Sequence, residues 1–265
     1  MRLGWLTDVH LNFVPPAGRA DLYARLRAAA LDALLIGGDI AEAPSVLSYL
    51  SELHQAVDLP VYFVLGNHDF YHGSIREVRA AVARYAATAP GLHWLPASPV
   101  IALNASTCLI GHDSWADGRV GDFLQSEVIL NDYVLIEELR LDDKRERLAQ
   151  LQALGDEAAA FLESQARAAL SRFRRVLVLT HVPPFRDACW HQGSISDGEY
   201  LPHFACQVVG DRLAAVMREH PHHQMTILCG HTHSPGVARI LDNLVVITGG
   251  AEYGKPALQQ ILELE

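Results

Sequence analysis

The sequence predicts an α/β protein whose sheets are covered on both faces and mixed in strand direction. Three observations carry this. Short, near-continuous apolar runs recur along the chain, helical stretches separate them, and the last two runs flank a tight turn. Run 3–6 comes first, followed by a helix at 20–31 with Leu22, Leu26 and Ala29 at helical spacing. Run 34–36 leads to a helix at 45–56, with Val46, Leu50 and Leu53 on one face and Pro44 at its start. Run 61–65 precedes an amphipathic stretch at 74–87, and run 108–110 follows. Residues 113–175 then interrupt the alternation. Residues 113–133 are acidic with scattered aromatics (Trp115, Phe123, Tyr133), and the rest reads as helical, with a mixed-charge run at 142–147 and an amphipathic stretch at 156–173. This segment is expected as a helical insertion over one end of a single domain spanning 1–265. Runs 176–179 and 225–228 resume the pattern. A hairpin of 237–240 and 244–247, with a last strand at 257–262, makes the sheet mixed.

Composition narrows the partners. Half of the 265 residues are apolar and a fifth are charged, enough for a large core and far from a disordered chain. The net charge of −10 disfavours a DNA-wrapping surface or a face held on anionic lipid. Cys108, Cys189, Cys206 and Cys229 form no C-x-x-C pair and show no metal-type spacing, which fits a reduced compartment. The opening MRLGWLTDVH is too short in its apolar part for a signal peptide, and no run approaches the ~20 residues of a membrane span. A cytoplasmic protein without a membrane partner is expected.

The chemistry gathers where strands end. Run 3–6 exits into Thr7-Asp8-Val9-His10, and run 34–36 into Gly37-Gly38-Asp39. Run 61–65 exits into Gly66-Asn67-His68-Asp69, run 176–179 into Thr180-His181, and run 225–228 into Gly230-His231-Thr232-His233. Each piece alone reads as turn chemistry. Together they do not, because turns favour Gly, Pro, Asn and Asp and would not supply histidine at four exits. Residues two apart on an extended strand share a face, so Asp8 with His10, and His231 with His233, can point into one site. The donors are all nitrogen and oxygen. Asp39, alone at its exit, is the natural carboxylate to bridge two cations.

This set and order resembles the calcineurin-like metallophosphoesterase superfamily, with matching blocks from residue 8 to residue 233. The resemblance implies a four-layer sandwich of two mixed β-sheets flanked by helices. It implies one metal held by Asp8, His10, Asp39 and His233, and another by Asp39, Asn67, His181 and His231. Two divalent ions, whether Mn, Fe, Zn, Ni or Co, would share a hydroxide for in-line attack at phosphorus. His68 resembles the family's non-metal histidine, which would protonate the leaving oxygen or stabilise phosphoryl charge, with Asp69 orienting it.

A small phosphodiester or phosphomonoester is the expected substrate. Candidate contacts are Arg186, Trp190 and His191 in the loop after His181: an arginine for a phosphate oxygen, a tryptophan for a planar group. His112, at another strand exit, and His72, just past the third block, are candidates for the pocket mouth. A metal-dependent DNA nuclease is the alternative; the acidic charge and lack of a basic stripe disfavour nucleic acid. A non-catalytic scaffold on the same fold is the third reading, set against the complete ligand set.

Overall fold

The computed structural model describes all residues 1–265. Thirteen strands form along the chain: β1 (Arg2–Leu6), β2 (Ala33–Gly37), β3 (Val61–Val64), β4 (Leu92–Trp94), β5 (Ile101–Ala102), β6 (Thr107–His112), β7 (Arg175–Thr180), β8 (Trp190–His191), β9 (Ser194–Ile195), β10 (Gln224–Cys229), β11 (Gly236–Leu241), β12 (Leu244–Thr248) and β13 (Gln260–Glu263). The helices are α1 (Pro16–Ala28), α2 (Val46–Val57), α3 (Ile75–Thr88), α4 (Asp132–Leu135), α5 (Lys144–Leu170), α6 (Leu201–Phe204) and α7 (Gln207–Glu219).

Two mixed sheets result. The first has the order β13-β1-β2-β3-β4, parallel except for β13. The second has the order β11-β12-β10-β7-β6-β5, parallel within and antiparallel at both edges. Alternation within each strand sorts side chains into separate apolar layers. Leu3, Trp5, Leu35, Val64, Leu109, Leu179 and Leu228 fill the space between the sheets. On the outer face of the first sheet, Leu34, Ile36 and Phe63 pack with Leu22 and Leu26 of α1, Leu50 and Leu53 of α2, and Val78 and Val82 of α3. On the outer face of the second, Val176, Val178, Ile227 and Val246 pack with Leu162 and Ala166 of α5 and Leu213 and Met217 of α7. The architecture is therefore helix, sheet, sheet, helix.

Residues 113–175 divide in two. Residues 113–143 hold mostly turns and the short α4, and send Trp115, Phe123, Tyr133 and Leu139 into the first helical layer. The remainder is one helix, α5, joining the parallel neighbours β6 and β7 and packing along α7. The mixed-charge run at 142–147 is its cap and first turn: the Asp143 carboxylate accepts from the Arg145 N–H. All four cysteines are free and buried. No helix is long and apolar enough to cross a membrane.

Candidate metal centre

β1, β2 and β3 of the first sheet and β7 and β10 of the second release their chains at one edge of the sandwich, where α/β proteins gather their chemistry. The exits turn sharply. Asp8 (φ 51°), His10 (40°), Asp39 (51°), His231 (71°) and His233 (60°) all occupy the left-handed region. Such conformations cost roughly 1–3 kcal/mol each in non-glycine residues and persist only where the surroundings enforce them. Here they do. The Asp8 N–H donates to Gly38 O (3.0 Å), the His10 N–H to Asp39 O (2.9 Å) and the His231 N–H to Asp8 Oδ1 (3.0 Å). Gly66 leaves room for this crowding, since a Cβ there would stand 2.5 Å from the Asp39 nitrogen and 2.7 Å from His181 Cε1.

Two groups of donors face one another across Asp39. In the first, single ligand atoms of Asp8, His10, Asp39 and His233 all lie within 4.8 Å of one another. His10 Nε2 stands 3.3 Å from His233 Nε2, which is 3.5 Å from Asp8 Oδ1. In the second, His181 Nδ1 donates to Gly37 O (2.8 Å) and His231 Nε2 to His203 O (3.1 Å). A neutral ring with one nitrogen protonated leaves the other as a bare lone pair. Those bare atoms, His181 Nε2 and His231 Nδ1, point at Asn67 Oδ1 from 2.9 and 3.0 Å. Acceptors converging on acceptors without a proton between them describe a cation site. Asp39 sends Oδ1 toward His181 Nε2 (3.4 Å) and Oδ2 toward His10 Nε2 (3.7 Å), one oxygen to each group. The donor chemistry thus fits two divalent cations.

Electrostatics agree. Burial pushes His10, His68 and His231 down to about 3, so their rings are neutral, the form that ligates metals. Burial would raise Asp8, but the hydrogen bond from His233 and the rings around it hold its carboxyl well below the usual range. Burial raises Asp39, and Asp8 and Asp69 push in the same direction. Crowded carboxylates in a dry site call for positive charge.

Some residues were not legible in the sequence. Asp132, from α4, fixes the Asn67 amide: Asn67 Nδ2 donates to Asp132 Oδ1 (2.8 Å), as does the Tyr71 hydroxyl (2.7 Å). That contact turns Asn67 Oδ1 toward the two histidines. His203 presents its carbonyl to His231 while Tyr133 Oη and Ser126 Oγ hold its ring at 2.5 and 2.9 Å. Tyr253 lies over His10 (ring centres 4.5 Å apart), its hydroxyl 3.5 Å from His68 Nε2.

Other expected roles need correction. Asp69 does not orient His68; its carboxylate accepts from the backbone N–H groups of Ile40 (2.9 Å), Ala41 (2.8 Å) and Gly66 (2.8 Å). It ties the Asp39 turn to the Gly66 turn through both of its oxygens. His112 is buried against Phe161 of α5, with Nδ1 accepting from the Ser114 N–H, and lies away from the cleft mouth. His72 lines a separate groove between α2 and α3. Arg186 is exposed, and Trp190 packs against Gly236; neither lines the cleft over the donors. His191 does line it, with Nδ1 3.3 Å from Thr232 O. His68 sits at the cleft, its Nε2 3.9 Å from Asp39 Oδ2.

This geometry has relatives. The phosphopantetheinyl hydrolase of Mycobacterium tuberculosis superposes with a TM-score of 0.66 at 15% identity, covering 96% of this chain and 90% of that one. A dimetal phosphatase of Danio rerio gives 0.60 at 15% identity, covering 94% and 87%. The anchor of the Plasmodium inner membrane complex gives 0.51 at 13% identity, covering 94% and 71%. At such identities the likeness shows the fold. Comparison with curated proteins finds no match. The sequence itself matches the calcineurin-like phosphoesterase model over residues 1–235, the span that delivers every donor around Asp39. The chain therefore belongs to the calcineurin-like phosphoesterase family.

Proposed function

We propose that this protein is a metal-dependent hydrolase of small phosphoesters, with two divalent cations held on either side of Asp39. The observation that carries this reading is the division of the Asp39 carboxylate, one oxygen toward each donor group. Asp8, His10 and His233 would complete one position, and Asn67, His181 and His231 the other. Bound there, the cations supply an activated water and neutralise charge during in-line displacement at phosphorus.

The chain's own groups do the rest. Neutral His10 and His231 offer lone pairs without first losing a proton. His68, neutral in this setting, stabilises charge on the phosphoryl group through the Nε2 it directs into the cleft beside Asp39. Tyr71, with its ring centre 4.2 Å from that of His68, keeps the imidazole in place. Asp69 acts one step back, by holding the turns that carry Asp39 and Gly66. The oxygen and nitrogen donors suit Mn²⁺, Fe, Zn²⁺ or Ni²⁺, and manganese or an iron-containing pair is the first choice for reconstitution.

The fold alone would also admit a binding protein. The bare lone pairs converging at Asn67 Oδ1 favour the enzyme. Asp39→Ala is the test. Loss of bound metal together with loss of bis-p-nitrophenyl phosphate hydrolysis is expected; full retention of both would overturn the reading.

A further inference from the structure

Resting on the phosphoesterase reading, we propose that Tyr253 is a catalytic residue: its hydroxyl and His68 Nε2 together hold one non-bridging phosphoryl oxygen during hydrolysis. No lysine or arginine is among the 13 residues that line the cleft of about 260 Å³ over the donors. Hydrogen bonds from side chains to the phosphoryl group must then come from neutral donors, and two of these are already engaged. The Tyr71 hydroxyl and the Asn67 amide both donate to Asp132 Oδ1, at 2.7 and 2.8 Å. The Tyr253 hydroxyl is free of such a commitment; its one polar contact is His68 Nε2, at 3.5 Å.

That distance suits a shared acceptor better than a bond between the two residues. Hydrogen bonds at full strength span about 2.7–3.2 Å, so 3.5 Å is long. Two donors at that separation can both reach one oxygen at about 2.9 Å, the geometry of an oxyanion hole. His68 has no other outlet: its Nδ1 is buried without a partner, which leaves Nε2 to face the cleft. Neither hydrogen bond moves a proton. The phenol keeps its hydrogen throughout and stabilises the charge that builds on the phosphoryl oxygen as attack proceeds.

A closed loop holds this hydroxyl in place. Tyr253 stands at the second position of a turn over 252–255, in which the Lys255 N–H donates to Glu252 O (3.0 Å). Gly254 follows it at φ 76°, a conformation that glycine adopts freely at the third position of a turn. The ends of the loop are joined by Gln259, whose amide accepts from the Gly250 N–H (2.9 Å) and donates to Gly250 O (2.8 Å). The Ala251 N–H donates to His233 O (3.1 Å), which ties the loop to the donor edge. Neighbouring rings set the direction of the phenol. Tyr253 lies over His10 at 4.5 Å and meets His233 and Phe13 edge-on, each at 5.3 Å. The loop lies beyond residues 1–235, so Tyr253 is a feature of this chain outside the span that matches the family.

Tyr253→Phe in the manganese-reconstituted protein keeps the ring over His10 and removes only the hydroxyl. Its kcat for bis-p-nitrophenyl phosphate is expected to fall about 100-fold, the usual loss on removing one such donor, with bound manganese unchanged. Calorimetry with orthovanadate, which imitates the five-coordinate phosphorus of in-line displacement, should show binding weakened by about tenfold or more. Unchanged kcat and unchanged vanadate affinity overturn the proposal and leave the phosphoesterase reading standing. Loss of bound manganese along with activity also overturns it, since the residue then serves only to cover His10. Wild-type protein that holds manganese and hydrolyses neither this diester nor p-nitrophenyl phosphate overturns the phosphoesterase reading and this proposal together.

Discussion

Asn67 shows how much a donor can depend on the neighbour that orients it. Its amide has two possible orientations, and Asp132 selects the one that presents oxygen to His181 and His231. Asp132→Ala is expected to weaken metal binding at that position by about 10–100-fold, the usual effect of losing an outer-shell partner, and to spare the position built on Asp8. Metal titration with the two affinities resolved separately checks this. Asp69→Ala should cost stability, about 3 kcal/mol or more, because three buried N–H groups lose their acceptor; urea denaturation measures it. The donors themselves were readable because each sits in a short local motif at a strand end. Asp132, His203 and Tyr253 were not, since only tertiary packing brings them to the site. His203 contributes through a main-chain carbonyl, which any residue could supply, so no sequence signal marks it.

The helices were legible where amphipathic spacing and caps coincide. α2 and α3 begin within a residue of their expected starts, and Ser74 caps α3 by accepting from the Glu77 N–H. The long α5 lies inside the stretch after Tyr133 that was expected to be helical, and Asp143, its cap, sets the start at Lys144 that the mixed-charge run left unmarked. The short edge strands β5, β8 and β9, two residues each, carry too little pattern to read. Contacts between distant elements were equally hidden. Glu138 reaches over to the start of α3, accepting from the N–H groups of Ile75 (2.8 Å) and Arg76 (3.1 Å) and from Ser74 Oγ (2.7 Å). This carboxylate caps a helix 62 residues away and fastens residues 113–143 to it. Glu138→Ala should lower stability by about 1–2 kcal/mol, and Glu138→Gln by less, as measured by thermal unfolding.

Across the molecule, the α/β class and mixed strand direction follow from the apolar runs, while the split into two sheets came through the family resemblance alone. Nothing in a single run says which neighbour it pairs with. The assembled fold carries its own pH dependence. Burial pushes His112 down to about 4 from 6.5, so it stays neutral in the fold yet gains a proton below pH 6.5 once unfolded. Its contribution is present above pH 6.5 and is lost as pH falls toward 4, about 2 kcal/mol of it between pH 7 and 5. Unfolding of His112→Asn, which keeps an acceptor for the Ser114 N–H, should show a correspondingly smaller loss over that interval. The strained exits have a kinetic consequence. Asp8 and His231 meet across 223 residues, so the donor groups come together only after both sheets have formed and docked. Cations would then arrive at a finished sandwich and act as a late rivet between its halves. Added Mn²⁺ should slow unfolding in stopped-flow denaturant jumps and leave the refolding rate unchanged.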